Sequence, residues 1–189
     1  LSSSSAASDV YKRQVKFYWY IKPEQMKPLI KALSDQVQLS SYNHVFYVLQ
    51  GGLFLYEQLT LLQAYPRDYK QHAIEYHRHP VHGNRLVDKS LPDNLTGQVL
   101  IIDDVWDTGR TAQLMLDDLL AQPRVSKIDF AFIAHKLDIP GQLALEQATL
   151  HIAVRLDNVW LGGCGMDLGV KGKVEDKIRR LPGLIVKKS

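Results

Sequence analysis

The stretch VLIIDDVWDTGRTAQ, Val99 to Gln113, constrains the fold more than any other part of the chain. Four consecutive apolar residues, Val99–Ile102, are what a strand covered on both faces requires. The run meets two aspartates, Asp103 and Asp104, and a third at Asp107. Thr108-Gly109-Arg110-Thr111 follows and leads into a helix expected over Arg110–Leu120. A buried strand that turns on a glycine into a helix opens a crossover connection, the unit from which parallel sheets are built. Crowded carboxylates repel one another, so this turn needs a compensating partner that neutral turn residues would not need.

The rest of the chain repeats the alternation. An aromatic and β-branched strand is expected at Val15–Tyr20. A helix follows whose first turn takes Pro23, with Met26, Leu29, Ile30 and Leu33 at helical spacing. His44–Leu49 is another strand of the doubly covered kind; it ends at Gln50-Gly51-Gly52, and a helix is expected over Leu53–Tyr65. Further strands are expected at His72–Arg78, Gln98–Asp103, Lys127–His135 and Leu150–Leu156. Pro80–Gly97 is long, polar and turn-rich, and reads as a mobile loop. The expected fold class is therefore α/β: a single Rossmann-like domain with a parallel twisted sheet flanked by helices. Ligands of such sheets sit at the C-terminal ends of the strands. Gly51-Gly52, Asp103-Asp104 and Lys136 all fall there.

A chain of 189 residues suits one domain, which can bury roughly 70% of its unfolded surface. The net charge of +3 argues against a nucleic-acid arm or a polybasic membrane patch and leaves room for a local anion site. One cysteine, Cys164, forbids an internal disulfide and fits a reducing, cytoplasmic setting. No run of about 18 apolar residues is present, so no membrane-spanning helix is expected. Residues 1–14, LSSSSAASDVYKRQ, lack the apolar centre of a signal peptide. They are expected to be a leader outside the fold, either translated adapter read-through or a disordered tail, with the domain spanning 15–189.

The acidic turn has two readings. A lone Asp-x-x-Asp is most often a solvated turn in which the last aspartate caps the next helix. Here Thr108-Gly109-Arg110-Thr111 runs directly into a helix, so several backbone N–H groups and two hydroxyls should face one spot, a cradle for a phosphate monoester. Acids beside such a cradle make sense if the ligand also carries hydroxyls, or brings Mg²⁺, for carboxylates to hold. A phosphorylated sugar is implied. There is no G-x-x-x-x-G-K-[ST] and no G-x-G-x-x-G after a strand, which excludes a P-loop and disfavours a dinucleotide site.

VLIIDDVWDTGRTAQ resembles the 5-phosphoribosyl-1-pyrophosphate signature of the type I phosphoribosyltransferases: four apolar residues, two acids, two apolar residues, Asp-Thr-Gly and a Thr. Within that family the chain is most similar to the 6-oxopurine branch, the hypoxanthine, guanine and xanthine enzymes, from about Val15 onward. The resemblance adds a small hood and a mobile active-site loop to the expected fold. It implies that Asp103 and Asp104 hold the ribose hydroxyls, that Asp107 is the catalytic acid or base near purine N7, and that Thr108, Gly109, Arg110 and Thr111 bind the 5′-phosphate. Gln50, Gly51 and Gly52 match the pyrophosphate loop, although the family often carries Lys or Arg where this chain has Gln50. Lys136 matches the lysine that reads the purine's exocyclic oxygen. In DNVWLGGCGMDLG, Trp160 would stack on the base, Leu161 would offer backbone groups to its edge, and Asp167, with Asp103 and Asp104, would serve Mg²⁺. Leu161-Gly162-Gly163-Cys164 stands where the family often has Val-Val-Gly-Tyr. Cys164 itself reads as a packed residue with no neighbouring base. Arg179, in KIRRLPGLIV, aligns with an arginine on pyrophosphate. The segment EYHRHPVHGNR lacks the Ser-Tyr pair of the family's closing loop, and its histidines, His77, His79 and His82, are not read as a metal site for want of soft ligands.

The resemblance thus implies a pentosyltransferase of purine salvage. It would move the phosphoribosyl group from phosphoribosyl pyrophosphate to a 6-oxopurine with Mg²⁺, in the cytoplasm, as a homodimer or homotetramer. Two alternatives stand beside it: a non-catalytic or regulatory phosphoribosyl-pyrophosphate-binding protein, and a phosphoribosyltransferase for a different base.

Overall fold

The computed structural model describes residues 17–63, 68–75, 77–79, 83–85, 91–167 and 173–187, with backbone alone at 77–79, 83–85, 173–175 and 187. The leader and the closing-loop side chains of residues 76–90 lie outside the described residues.

Five strands, β2 (His44–Leu49), β3 (Lys70–Glu75), β6 (Gly97–Trp106), β7 (Val125–Lys136) and β8 (Thr149–Leu156), form one all-parallel sheet in the order β3-β2-β6-β7-β8. The chain winds outward from β2 to β3 on one side and from β6 to β8 on the other. The order therefore reverses between β2 and β6, and a crevice opens beyond their C-terminal ends.

Period-two alternation along the strands assigns the two faces. Leu100, Ile102, Ala131 and Ile133 face α1 (Pro23–Gln36) and α2 (Gly51–Leu62), where Met26, Ile30, Leu33, Leu55 and Leu59 close the core. Val99, Ile101, Phe130 and Phe132 face α3 (Arg110–Leu120), which contributes Met115, Leu116 and Leu119. At the start of α1, Pro23 occupies the first turn as expected, and the Gln25 side chain accepts from the Lys22 N–H at 3.0 Å.

A second, antiparallel sheet orders β1 (Phe17–Ile21), β10 (Leu184–Lys187) and β9 (Leu161–Gly162). It brings the ends of the chain together into the small hood. The short helix α4 (Lys173–Arg179) precedes β10, so Arg179 ends a helix and does not begin the terminal strand.

Several element ends differ from the sequence expectation: α2 begins at Gly51 and not Leu53, β3 at Lys70 and not His72, and β7 spans Val125–Lys136, so that Lys136 is its last residue; two further differences shape the site. The strand expected over His72–Arg78 stops at Glu75; among the described residues its one sheet neighbour is β2, which ends at Leu49, opposite Glu75. Beyond it, β4 (His77–His79) takes up the last two residues of that expected strand and pairs antiparallel with β5 (Gly83–Arg85), which lies inside the segment read as loop. Conversely, β6 runs three residues past Asp103, because β7 continues beside it as far as the Trp106–His135 pair. The two acids lie within the strand's last turn of pleat and not in the loop.

Candidate active site

Asp103 and Asp104 are half-buried at the C-terminal end of β6. Their side chains are held locally: Asp103 Oδ1 accepts from the Asp104 N–H at 2.8 Å, and Asp104 Oδ1 from the Val105 N–H at 2.7 Å. Burial pushes both carboxyls above the usual range. For Asp103 the adjacent Asp104 charge adds to the rise; for Asp104 the Val105 N–H and the Arg179 guanidinium oppose it. Two carboxylates that are reluctant to ionise together await hydroxyl donors or a cation. The glycines of β2–α2 are required by this arrangement: a Cβ on Gly51 would collide with the Asp104 carboxylate, and one on Gly52 with the Ile102 carbonyl. Their first duty is close approach of α2 to β6.

The turn after β6 sets Gly109 at φ +77° as the residue preceding α3. A glycine there brings no side-chain acceptor, so the first N–H groups of α3 are left for a ligand or water. Together with Thr108, Arg110 and Thr111 it lines a cavity of about 190 Å³ that reaches Asp103 and Asp104.

On the other side of the acids a cavity of about 200 Å³ is lined by Asp104, Asp107, Lys136, Trp160, Asp167 and Arg179, among others. The buried Lys136 Nζ donates to Asp107 Oδ2 at 2.9 Å and lies 5.8 Å from the centroid of the Trp160 ring. Trp160 is 62% exposed, a bare aromatic face beside a cation. Leu161 buries its side chain and pairs through β9 with Val186.

The third cavity, about 570 Å³, opens between Gln50 and the two arginines Arg179 and Arg180. Arg179 forms an ion pair with Asp167 and donates to the Gly165 carbonyl at 2.7 Å. Gly165 has φ +96°, and a Cβ there would meet the Gly51 carbonyl. The 161–167 segment is thereby docked on the Gly51 turn. Cys164 is buried and its thiol is pushed up to about 12, which keeps it an inert packed group.

The architecture is shared with solved structures. A hypoxanthine-guanine phosphoribosyltransferase from Bacillus anthracis str. 'Ames Ancestor' is 19% identical, covers 93% of this chain and 98% of its own, and superposes with a TM-score of 0.71. A hypoxanthine phosphoribosyltransferase from Staphylococcus aureus is 15% identical over 96% of each chain, TM-score 0.72. That of Trypanosoma cruzi in complex with the product IMP is 16% identical over 92% of this chain and 95% of its own, TM-score 0.72. The chain has the fold of the hypoxanthine phosphoribosyltransferases. No family model matches the sequence, and no curated protein does.

Within this fold Gln50, Asp103, Asp104, Asp107 to Thr111, Lys136, Trp160, Leu161, Asp167 and Arg179 line these cavities, Gly51 and Gly52 pack against Asp104 and Ile102, and the side chains of His77, His79 and His82 lie outside the described residues. Asp104 borders two of the three cavities, and so does Arg179. Asp167 and Arg179, read separately as metal and pyrophosphate groups, are partners of one another. Among the described residues no group of three or more His, Cys, Asp or Glu could hold a metal alone. No helix among them is long and apolar enough to cross a membrane. Sequence reasoning missed Gly165, whose place in Gly-Cys-Gly was a usable signal, and Gln142. The Gln142 amide donates to the Asp107 carbonyl at 2.5 Å and to the Lys136 carbonyl at 2.9 Å, and nothing in its local sequence announces this.

Proposed function

We propose that the chain transfers the 5-phosphoribosyl group from phosphoribosyl pyrophosphate to a 6-oxopurine, releasing pyrophosphate and giving a nucleoside 5′-monophosphate. The observation that carries this reading is the convergence of three cavities on one sheet edge. One holds an uncapped helix start suited to a phosphate, and an acid pair suited to a diol borders it. Another holds an acid–cation pair beneath an open indole. The product in the Trypanosoma cruzi structure, IMP, is a molecule with those three parts.

In this reading Thr108–Thr111 and the first N–H groups of α3 hold the 5′-phosphate, and Asp103 and Asp104 accept from the ribose hydroxyls. Gln50, Gly51, Gly52 and Arg179 border the pyrophosphate. The purine stacks on Trp160, with its edge against the backbone of Leu161. The Lys136 ammonium has three donors and gives one to Asp107; another can reach the purine's exocyclic oxygen. An amino group at that position would meet donor with donor, so adenine is disfavoured. Asp107, held beside Lys136, takes the proton that the attacking nitrogen loses.

Mg²⁺ fits this donor set, because it is commonly held by one or two carboxylates plus substrate phosphates and not by an all-protein cage. Asp103, Asp104 and Asp167 would serve it. When bound, it would neutralise charge on the departing pyrophosphate. The Trypanosoma cruzi relative's C-terminal region bears on its oligomeric state and enzymatic activity. The family resemblance supports a homodimer or homotetramer, with light scattering as the check, and the single cysteine, Cys164, supports a cytoplasmic setting.

The uncharged Gln50 favours one second reading, a regulator that binds phosphoribosyl pyrophosphate without turning it over. One assay separates the two: protein, Mg²⁺ and phosphoribosyl pyrophosphate with hypoxanthine, guanine, xanthine or adenine in turn. Pyrophosphate release with a 6-oxopurine is expected. Calorimetric binding of phosphoribosyl pyrophosphate with no release for any base would sink catalysis and leave the regulator.

A further inference from the structure

We propose that Gln142 is a positioning residue that fixes the geometry of the Asp107–Lys136 pair; this rests on the reading of that pair as the purine-handling groups. The β6–β7 ladder ends at Trp106 opposite His135. Asp107 and Lys136 are the next residues along, just past the last paired register. The Gln142 side chain, from the helix-free connection between β7 and β8, bridges them. Its Nε2 donates one hydrogen to the Asp107 carbonyl at 2.5 Å and one to the Lys136 carbonyl at 2.9 Å, which uses both. Two carbonyl oxygens meeting one side-chain atom identify that atom as nitrogen, so the amide has a single orientation. Its Oε1 lies 3.2 Å from His135 Nε2, which therefore carries its proton there. The His135 ring stacks on Trp106 at 4.8 Å, and Leu143 N–H donates to the Thr108 carbonyl at 3.0 Å. Gln142 thus extends the strand register by one residue, and on that residue stand the carboxylate and ammonium that lie 2.9 Å apart.

Misplacement of a reacting group by about 1 Å can slow turnover by about 100-fold. Gln142→Met keeps the length and removes all three hydrogen bonds. Gln142→Glu keeps the shape and turns a carboxylate toward two carbonyl oxygens. Both are expected to lower kcat about 10- to 100-fold and to leave KM for phosphoribosyl pyrophosphate within about threefold. The Gln142→Glu deficit shrinks as pH falls from 8 to 5.5, because the protonated carboxyl regains one donor; the Gln142→Met deficit does not. A structural role alone would not produce that split. Wild-type kcat in Gln142→Met overturns the positioning role and leaves the proposed function standing. If the wild type turns over no purine, the proposed function fails, and the ligand-free crystal structure of Gln142→Met decides for Gln142. A Lys136–Asp107 separation opened beyond hydrogen-bond reach supports the role; an unchanged contact overturns it.

Discussion

Two groups of carboxylate, one buried and one half-buried, stand on neighbouring strands of one sheet and are treated in opposite ways. Asp129 on β7 lies opposite Leu100, three pairs before Asp103. Its side chain has no exposure, yet Tyr42 donates to it at 2.6 Å, Lys127 at 2.6 Å, and His151 lies at 3.4 Å. Burial alone would raise its pKa; the hydrogen bonds from Lys127 and Tyr42 and the Lys127 charge outweigh that and hold it below the usual range. Asp103 and Asp104 accept from the Asp104 and Val105 N–H groups, and the Arg179 charge pulls Asp104 down, yet burial outweighs these and pushes both up. An acid whose charge the chain itself neutralises belongs to the fold. Acids left for something outside to neutralise mark a site.

The sharpest way to break this distinction is to remove the charge at each end. Asp103→Asn with Asp104→Asn is expected to abolish phosphoribosyl pyrophosphate binding in calorimetry, a loss of at least about 10³-fold. The ligand-free fold should be as stable as wild type or more so, since two reluctant charges are gone. Wild-type affinity in this variant would show that the acids do not hold the diol. Asp107 stands between the two cases, because it has a cation from its own chain yet its side chain is 45% exposed. Asp107→Asn should lower kcat by roughly 10²- to 10⁴-fold with affinity for phosphoribosyl pyrophosphate nearly kept. Unchanged turnover would show that Asp107 is not the proton acceptor.

At the other end the signs reverse. Asp129→Asn removes the charged acceptor shared by Tyr42 and Lys127. Lys127 is about half exposed, which tempers its share. A loss of about 1–3 kcal/mol in urea unfolding is expected, with ligand affinity unchanged. A stability equal to wild type would place Asp129 with the site acids and dissolve the contrast.

The sequence made the two ends unequally legible. Asp103, Asp104 and Asp107 stand together in an ordered run that ends in a glycine turn, so strand, turn, helix and site were read as one unit, and α3 begins and ends where expected. Asp129 sits inside an apolar strand and meets Tyr42 and His151 only through tertiary pairing, which no local pattern encodes. The same limit hid Gln142, whose partners are six and 35 residues away. It also misplaced the end of β3, because a strand's length is set by its neighbour; β2 simply runs out at Leu49. Gly51 and Gly52, which match the pyrophosphate loop, carry a second requirement that sequence does not show, packing against Asp104 and Ile102. Residues can be located by pattern when several of their duties coincide in one segment.

The smallest expected effect is also the most direct reading of the contrast, the pH dependence of stability without ligand and with a chelator present. The folded-state pKa of Asp129 is lowered, so its contribution is present above the unfolded carboxylate value, near 3.9, and is lost as pH falls through the folded value. The folded-state values of Asp103 and Asp104 are raised, so the protein is most stable where both are protonated and loses stability as pH rises from the unfolded value through the folded ones. The Asp129→Asn deficit should therefore be full at pH 7 and shrink below about pH 4. The advantage of the double Asn variant should also be largest at pH 7, but it should shrink earlier, on the way down toward pH 4. Urea titrations of the three proteins between pH 3 and 8 test this. Differences that stay constant across that range would mean that neither group's ionisation is tied to folding, and the two ends of the sheet would then differ in geometry alone.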